Sequence, residues 1–265
     1  MPSAPNALPH AGLELAALRE CVGVHGWAVI EGMPCRDGNG PLLDLANALG
    51  RVNPYGAGGE TRDGEGVHLV APSARPVLDT TGKAMLSSTA TDFPLHTDEC
   101  FASEPSRYVL LHCWREDARG GGDSLLANSE AIAARLEPWA LDLCHRANFI
   151  WRTCRAPIFT RQPGTGWPIV RFNMREIAGD DLGEDADPRS RVLPELMLAA
   201  ANAAAEQVLL EAGDCLVIDN HRTLHGRIAF DHESKRLLKR VWVKTDPGAA
   251  QRETKSRNAS TTAAG

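Results

Sequence analysis

The chain has 265 residues and 43% hydrophobic composition, enough to bury a sizeable core. Its formal net charge is -6, from 28 Lys and Arg against 34 Asp and Glu, so it lacks the basic surface that binds nucleic acid by displacing counterions. No apolar run approaches the roughly 20 residues of a membrane helix, and Met1 to His10 lacks the basic-then-apolar order of a secretory signal. The 7 cysteines are an odd number without a Cys-x-x-Cys pair, which predicts reduced thiols in a cytoplasm rather than disulfides or structural zinc.

In chain order, Gly12 to Val22 has the periodicity of an amphipathic helix, and Trp27 to Ile30 follows as a short strand. Pro41 to Leu49 predicts a second helix with Pro in its first turn. Asn53 to Gly66 is a glycine-rich polar loop of the kind that forms lids. Strands are expected at Tyr108–Trp114, Ser124–Ala127, Asn148–Thr153 and Ile169–Asn173. Ser129 to Arg146 predicts a helix capped by Ser129 and broken or kinked at Pro138. Ala178 to Arg191 reads as an acidic loop, and Leu193 to Ala205 as an Ala-rich helix. Strands follow at Gln207–Glu211, Cys215–Asp219 and Arg236–Lys244, and residues 246–265 read as a disordered tail. Many short strands with interspersed helices predict a mainly β sandwich or barrel over residues 1–245, with helical decoration.

His96-Thr97-Asp98 can present two ligands to one ion, because residues i and i+2 of an extended strand share a face. Alone this spacing is common, and for an isolated match a buried histidine bonded to a neighbouring carboxylate is the better explanation. Asp219 to Arg227 adds His221 and His225 near the other end of the chain. Two imidazoles and one carboxylate on one face of an octahedral ion form the facial triad of non-haem iron(II) oxygenases. His225 is preferred to His221 as the third ligand, because Gly226 and the arginines beyond it fit a co-substrate site. The other histidines (10, 25, 68, 112, 145 and 232) lack a partner at ligand spacing and default to surface or core.

In Lys235 to Val243, Arg236, Leu238, Arg240 and Trp242 share one strand face, and Leu237, Lys239, Val241 and Val243 share the other. Either face could turn inward on this pattern. If the arginine face does, a guanidinium there would pair bidentately with a carboxylate.

Together, His96-Thr97-Asp98, Gly121-Gly122-Asp123-Ser124, Leu224-His225-Gly226-Arg227 and Arg236 through Arg240 resemble the taurine dioxygenase-like family of iron(II)/2-oxoglutarate-dependent oxygenases. The resemblance runs roughly from Gly12 to Lys244. It implies a double-stranded β-helix, or jelly roll, with iron(II) held by His96, Asp98 and His225. It also implies that Arg236 pairs with the distal carboxylate of 2-oxoglutarate, helped by Ser124 where relatives carry Thr. Arg240 matches an arginine that meets an anionic substrate group in taurine-oxidising relatives. Asp98 stands where the amino-acid hydroxylases commonly carry Glu, which leaves the substrate open, and its presence disfavours halogenation.

The implied reaction uses dioxygen and 2-oxoglutarate to hydroxylate an unactivated C–H bond of a small amino acid or related zwitterionic or anionic metabolite. Desaturation, cyclisation or epimerisation would share the same cofactors. A non-catalytic jelly roll binding a metal or small molecule is the reading from another class. Extended geometry from His96 back to Asp92 would put the Asp92 carboxylate on the metal-facing side, where it could pair with a substrate amine. The loops at Asn53–Gly66 and Arg161–Trp167 are the candidate lids.

Overall fold

A computed structural model describes residues 6–36, 38–54, 62–64, 66–152, 154–161, 168–177 and 187–245. Parts of both expected lids (55–61, 65 and 162–167), most of the acidic loop (178–186) and the expected tail (246–265) lie outside the described residues. The strands in chain order are β1 (Ala7–Pro9), β2 (Trp27–Glu31), β3 (Arg51–Asn53), β4 (His68–Val70), β5 (Phe93–His96), β6 (Tyr108–Arg115) and β7 (Ser124–Asn128). They continue with β8 (Phe149–Trp151), β9 (Cys154–Ala156), β10 (Phe159–Arg161), β11 (Pro168–Val170), β12 (Glu206–Val208), β13 (Cys215–Asp219), β14 (Thr223–Arg227) and β15 (Leu237–Lys244). The helices are α1 (Leu15–His25), α2 (Gly40–Leu49), α3 (Ser129–Ala133), α4 (Pro138–Arg146) and α5 (Leu193–Ala204).

Two sheets make the jelly roll. The larger runs β1-β2-β13-β6-β15-β3, with β4 also paired to β15, and the smaller runs β12-β7-β14-β5. The period-two pattern decides which side chains meet between them. Val109 of β6, Leu216 and Ile218 of β13, and Leu238 and Trp242 of β15 pack with Leu126 and Val208 of the smaller sheet. Their neighbours Tyr108, Leu110, Cys215, Val217, Val241 and Val243 pack the opposite way, with Leu18, Val22, Leu42 and Ala46 of α1 and α2. The larger sheet is thus covered on both sides, which is why β13 reads as a continuous apolar run without alternation. It also resolves the β15 faces: the one bearing Leu238, Arg240 and Trp242 points into the sandwich. Helices α4 and α5 and the β8–β11 hairpins cover the outer face of the smaller sheet.

Local chemistry explains the boundaries. Helix α1 ends on Gly26 at φ 86°, whose N–H donates to the Val22 carbonyl. The expected helix at Ser129–Arg146 is two helices, because Pro138 has no N–H to give an interior turn and instead opens α4. Asn128, rather than Ser129, caps α3, with its side chain accepting from the Glu130 N–H at 2.9 Å. The expected strand at Asn148–Thr153 is shorter, since the chain reverses at Arg152 (φ 48°) and returns as β9. Among the described residues, no helix is long and apolar enough to cross a membrane.

Candidate metal centre

Strands β5 and β14 run antiparallel with His96 and His225 directly opposite. Their ring centroids are 4.5 Å apart. Asp98 lies just past the end of β5, with Oδ1 3.3 Å from His96 Nε2 and Oδ2 3.7 Å from His225 Nε2. All three residues are buried, and their candidate ligand atoms lie within 4.8 Å of one another. His96 Nδ1 is 2.9 Å from the Pro94 carbonyl, which can only accept, so Nδ1 carries a proton and Nε2 is the ring atom turned toward Asp98. That Nε2 is buried without a hydrogen-bond partner. Phe93 stacks on the His96 ring at 4.0 Å and fixes its plane.

Asp98 is gripped at both ends. Its Oδ2 accepts hydrogen bonds from Trp242 Nε1 at 2.8 Å and Arg240 Nη1 at 3.2 Å. Its backbone N–H donates to Asn220 Oδ1 at 2.8 Å, and its carbonyl accepts from Asn220 Nδ2 at 3.0 Å. Burial alone would raise the Asp98 carboxyl, but the Arg240 guanidinium and the two imidazoles hold it well below the usual carboxylate range. Burial, with His96 alongside, pushes the His225 imidazole down. The loop after Asp98 is pinned by Arg171, whose guanidinium donates to the carbonyls of Cys100, Ala102 and Ser103.

Two cavities meet at these three residues. One is lined by His96, His225, Ser124, Arg227, Arg236 and Leu238. Arg236 Nη2 donates to the Gly122 carbonyl at 2.8 Å, while its Nη1 is buried without a partner. Gly122, at φ 72°, is required here, since a Cβ would lie 2.8 Å from Arg236 Nε. The second cavity, open to solvent, has His96, Asp98, Arg240 and Trp242 on one side. Arg152 crosses its other wall, bonding Asp79 Oδ2 at 2.8 Å and Glu176 Oε1 at 2.7 Å.

The residues singled out in the sequence are thus largely brought together. His96, Asp98 and His225 converge; Arg236 and Ser124 line one cavity beside them; and Arg240 borders both cavities. Its guanidinium, expected to face a substrate anion, is committed in part to Asp98. His221 is elsewhere, its Nε2 3.0 Å from the Pro105 carbonyl. Asp92 does not face the metal. Its exposed carboxylate accepts from the Ala229 N–H at 2.7 Å, and it lines neither cavity. The reason is a β-bulge: His96 pairs with His225 but Phe93 with Arg227, so the two-residue period breaks before it reaches Asp92.

Residues 4–242 match the sequence pattern of the Taurine catabolism dioxygenase TauD, TfdA family. The chain belongs to this family. It is 26% identical over 172 residues to the 3-((Z)-2-isocyanoethenyl)-1H-indole synthase of Fischerella ambigua, covering 57% of this chain and 62% of that protein. It is 28% identical over 176 residues to the tyrosine isonitrile desaturase of Pseudomonas aeruginosa, covering 58% and 60%. These matches span about three-fifths of each relative's length. The solved structure of an asparagine oxygenase with Fe(II), 2S,3S-3-hydroxyasparagine and succinate superposes with a TM-score of 0.68 at 21% identity, over 88% of this chain and 78% of that one. Its likeness to this TauD/TfdA-family chain is one of fold.

Three participants escaped the sequence reading of this family member. Asn220 stands inside the segment Asp219 to Arg227, but nothing in its spacing points to Asp98, 122 positions earlier. Trp242 was visible only as sharing a face with Arg240. His68, assigned by default to surface or core, is buried on β4 opposite Arg240, with its ring 4.4 Å from Trp242.

Proposed function

We propose that the protein is an iron(II)/2-oxoglutarate-dependent dioxygenase in which His96, Asp98 and His225 hold the metal and Arg236, with Ser124, receives the distal carboxylate of 2-oxoglutarate. The observation that carries this reading is a pair of orphaned atoms. His96 Nε2 and Arg236 Nη1 are both buried and partnerless, and the two residues line one cavity. Burying an unpaired guanidinium N–H is costly, and a carboxylate between the arginine and the metal would satisfy it. Two imidazoles and one carboxylate, with no fourth His, Cys, Asp or Glu grouped with them among the described residues, suit an ion that keeps positions open. Zinc would prefer a closed tetrahedral set.

Iron(II) with 2-oxoglutarate and dioxygen supplies the oxidation when bound, yielding succinate, carbon dioxide and an oxidised substrate C–H position. The chain's own part is placement. Arg236 orients the co-substrate, Phe93 and Leu238 give its cavity an apolar wall, and Asp98 stays ionised through Arg240 and Trp242. The second cavity mixes carboxylates (Asp79, Glu99, Glu176) with cations (Lys83, Arg152, Arg175), which suits a small amino acid or related zwitterionic or anionic metabolite.

Hydroxylation is the first reading. Desaturation is the second, favoured by the relative named tyrosine isonitrile desaturase. The test is to incubate the iron-loaded protein with 2-oxoglutarate, dioxygen and an amino-acid and small-acid panel, reading succinate and product mass together. Substrate-dependent succinate with a gain of one oxygen supports hydroxylation, and a loss of two hydrogens supports desaturation. No succinate across the panel favours a binding protein instead.

A further inference from the structure

We propose that Trp242 is a positioning residue for the metal: its indole N–H occupies Asp98 Oδ2 and thereby leaves Oδ1 as the single oxygen that meets the ion. This rests on the reading of His96, Asp98 and His225 as ligands. An indole Nε1 can only donate, and a buried one seeks one acceptor. Trp242 is 2% exposed, and its donor reaches Asp98 Oδ2 at 2.8 Å. Arg240 Nη1 reaches the same oxygen at 3.2 Å, so both lone pairs of Oδ2 are engaged. Oδ1 has neither donor and lies 3.3 Å from His96 Nε2, closer than the 3.7 Å between the doubly hydrogen-bonded Oδ2 and His225 Nε2.

The ring itself is wedged, with the Arg240 guanidinium 4.1 Å from its centroid on one contact and His68 4.4 Å away on another. The indole therefore has little freedom to turn its N–H elsewhere. A carboxylate that meets the ion through one oxygen occupies one position where a chelating one would occupy two. Trp242 in this way guards the open positions that co-substrate and dioxygen require.

Trp242→Phe keeps an aromatic ring against Arg240 and His68 and deletes the donor together with the pyrrole part of the indole, a loss of bulk that the Trp151→Phe control shares. Co(II) and Fe(II) are titrated anaerobically into the apo-protein without co-substrate, following affinity and the Co(II) visible spectrum. The expected result is a roughly tenfold or greater loss of affinity with an altered Co(II) band, in the range found when outer partners of metal ligands are removed. Trp151→Phe, which removes a buried indole donor bonded to the Ala156 carbonyl, is the control and should bind metal as wild type does. Equal affinity in Trp242→Phe and wild type overturns the proposal, and so does an equal loss in both tryptophan variants. His225→Ala separates this outcome from failure of the ligand assignment. If His225→Ala also binds metal as wild type does, the three-ligand reading itself is wrong. Should Trp242→Phe not fold, infrared difference spectra of wild type with ¹³C-labelled aspartate decide the matter. A one-oxygen carboxylate signature on metal addition is expected, and a chelating one overturns the proposal.

Discussion

At the scale of single residues, the candidate site depends on atoms left without partners. His225→Ala removes one imidazole from the buried trio and should abolish stoichiometric Fe(II) binding in an anaerobic titration, with the fold retained by circular dichroism. Gly122→Ala tests the co-substrate assignment without touching a charged group. Its Cβ would fall 2.8 Å from Arg236 Nε at a backbone φ of 72°. The guanidinium must shift, and 2-oxoglutarate affinity should fall at least tenfold by calorimetry, with about 1–2 kcal/mol of stability lost to the left-handed backbone. His68 gives a pH prediction. Burial, with Arg240 beside it, depresses its imidazole to about 4, and both ring nitrogens lack partners. Since the unfolded chain binds this proton more readily, stability is full above pH 6.5 and is lost as pH falls toward 4. The loss is about 3 kcal/mol at most by linkage. His68→Phe should flatten that part of the stability–pH curve, and an unchanged slope would contradict the assignment.

At the scale of elements, the pairing of β5 with β14 sets the two histidines opposite each other. Gly226 makes that pairing possible. A Cβ there would stand 2.6 Å from the Phe93 carbonyl oxygen and 3.1 Å from the Leu95 nitrogen, both backbone atoms that cannot swing away. Gly226→Ala should cost about 1–3 kcal/mol in denaturant unfolding and weaken metal binding in the same protein, because widening the strand pair separates His96 from His225. The element scale also shows why some features were legible and others not. Strands β2, β13 and β15 follow from apolar runs or alternation, which are local. The convergence of His96, Asp98 and His225 was legible because motif order constrained it. The Asp92 expectation failed because a bulge in the β5–β14 pairing leaves no mark on residue periodicity. Asn220 was missed because its bond to the Asp98 backbone is a long-range contact between a side-chain amide and a main chain. The β15 face was undecidable until its neighbours were known, since Val241 and Val243 make the other face equally apolar.

At the scale of the whole molecule, the site joins the two sheets. The smaller sheet brings His96, His225 and Ser124, while β15 and the residue before it bring Arg236, Arg240 and Trp242 from the larger. A ligand bound between them should therefore stabilise the entire sandwich. Metal at about a hundredfold its dissociation constant should add about 2.7 kcal/mol to unfolding, and a chelator should reverse it. With metal present, 2-oxoglutarate should raise the melting temperature further, and by more than it does in the apo-protein.

The central claim is that His96, Asp98 and His225 hold iron(II) while Arg236 anchors 2-oxoglutarate beside it. Anaerobic visible spectroscopy tests this most directly, with Fe(II) and 2-oxoglutarate added to wild type, His225→Ala and Arg236→Ala. The account predicts a metal-to-ligand charge-transfer band in wild type, none in His225→Ala, and in Arg236→Ala a band that appears only at much higher 2-oxoglutarate concentration. No band in wild type, or the same titration curve in all three proteins, would contradict it.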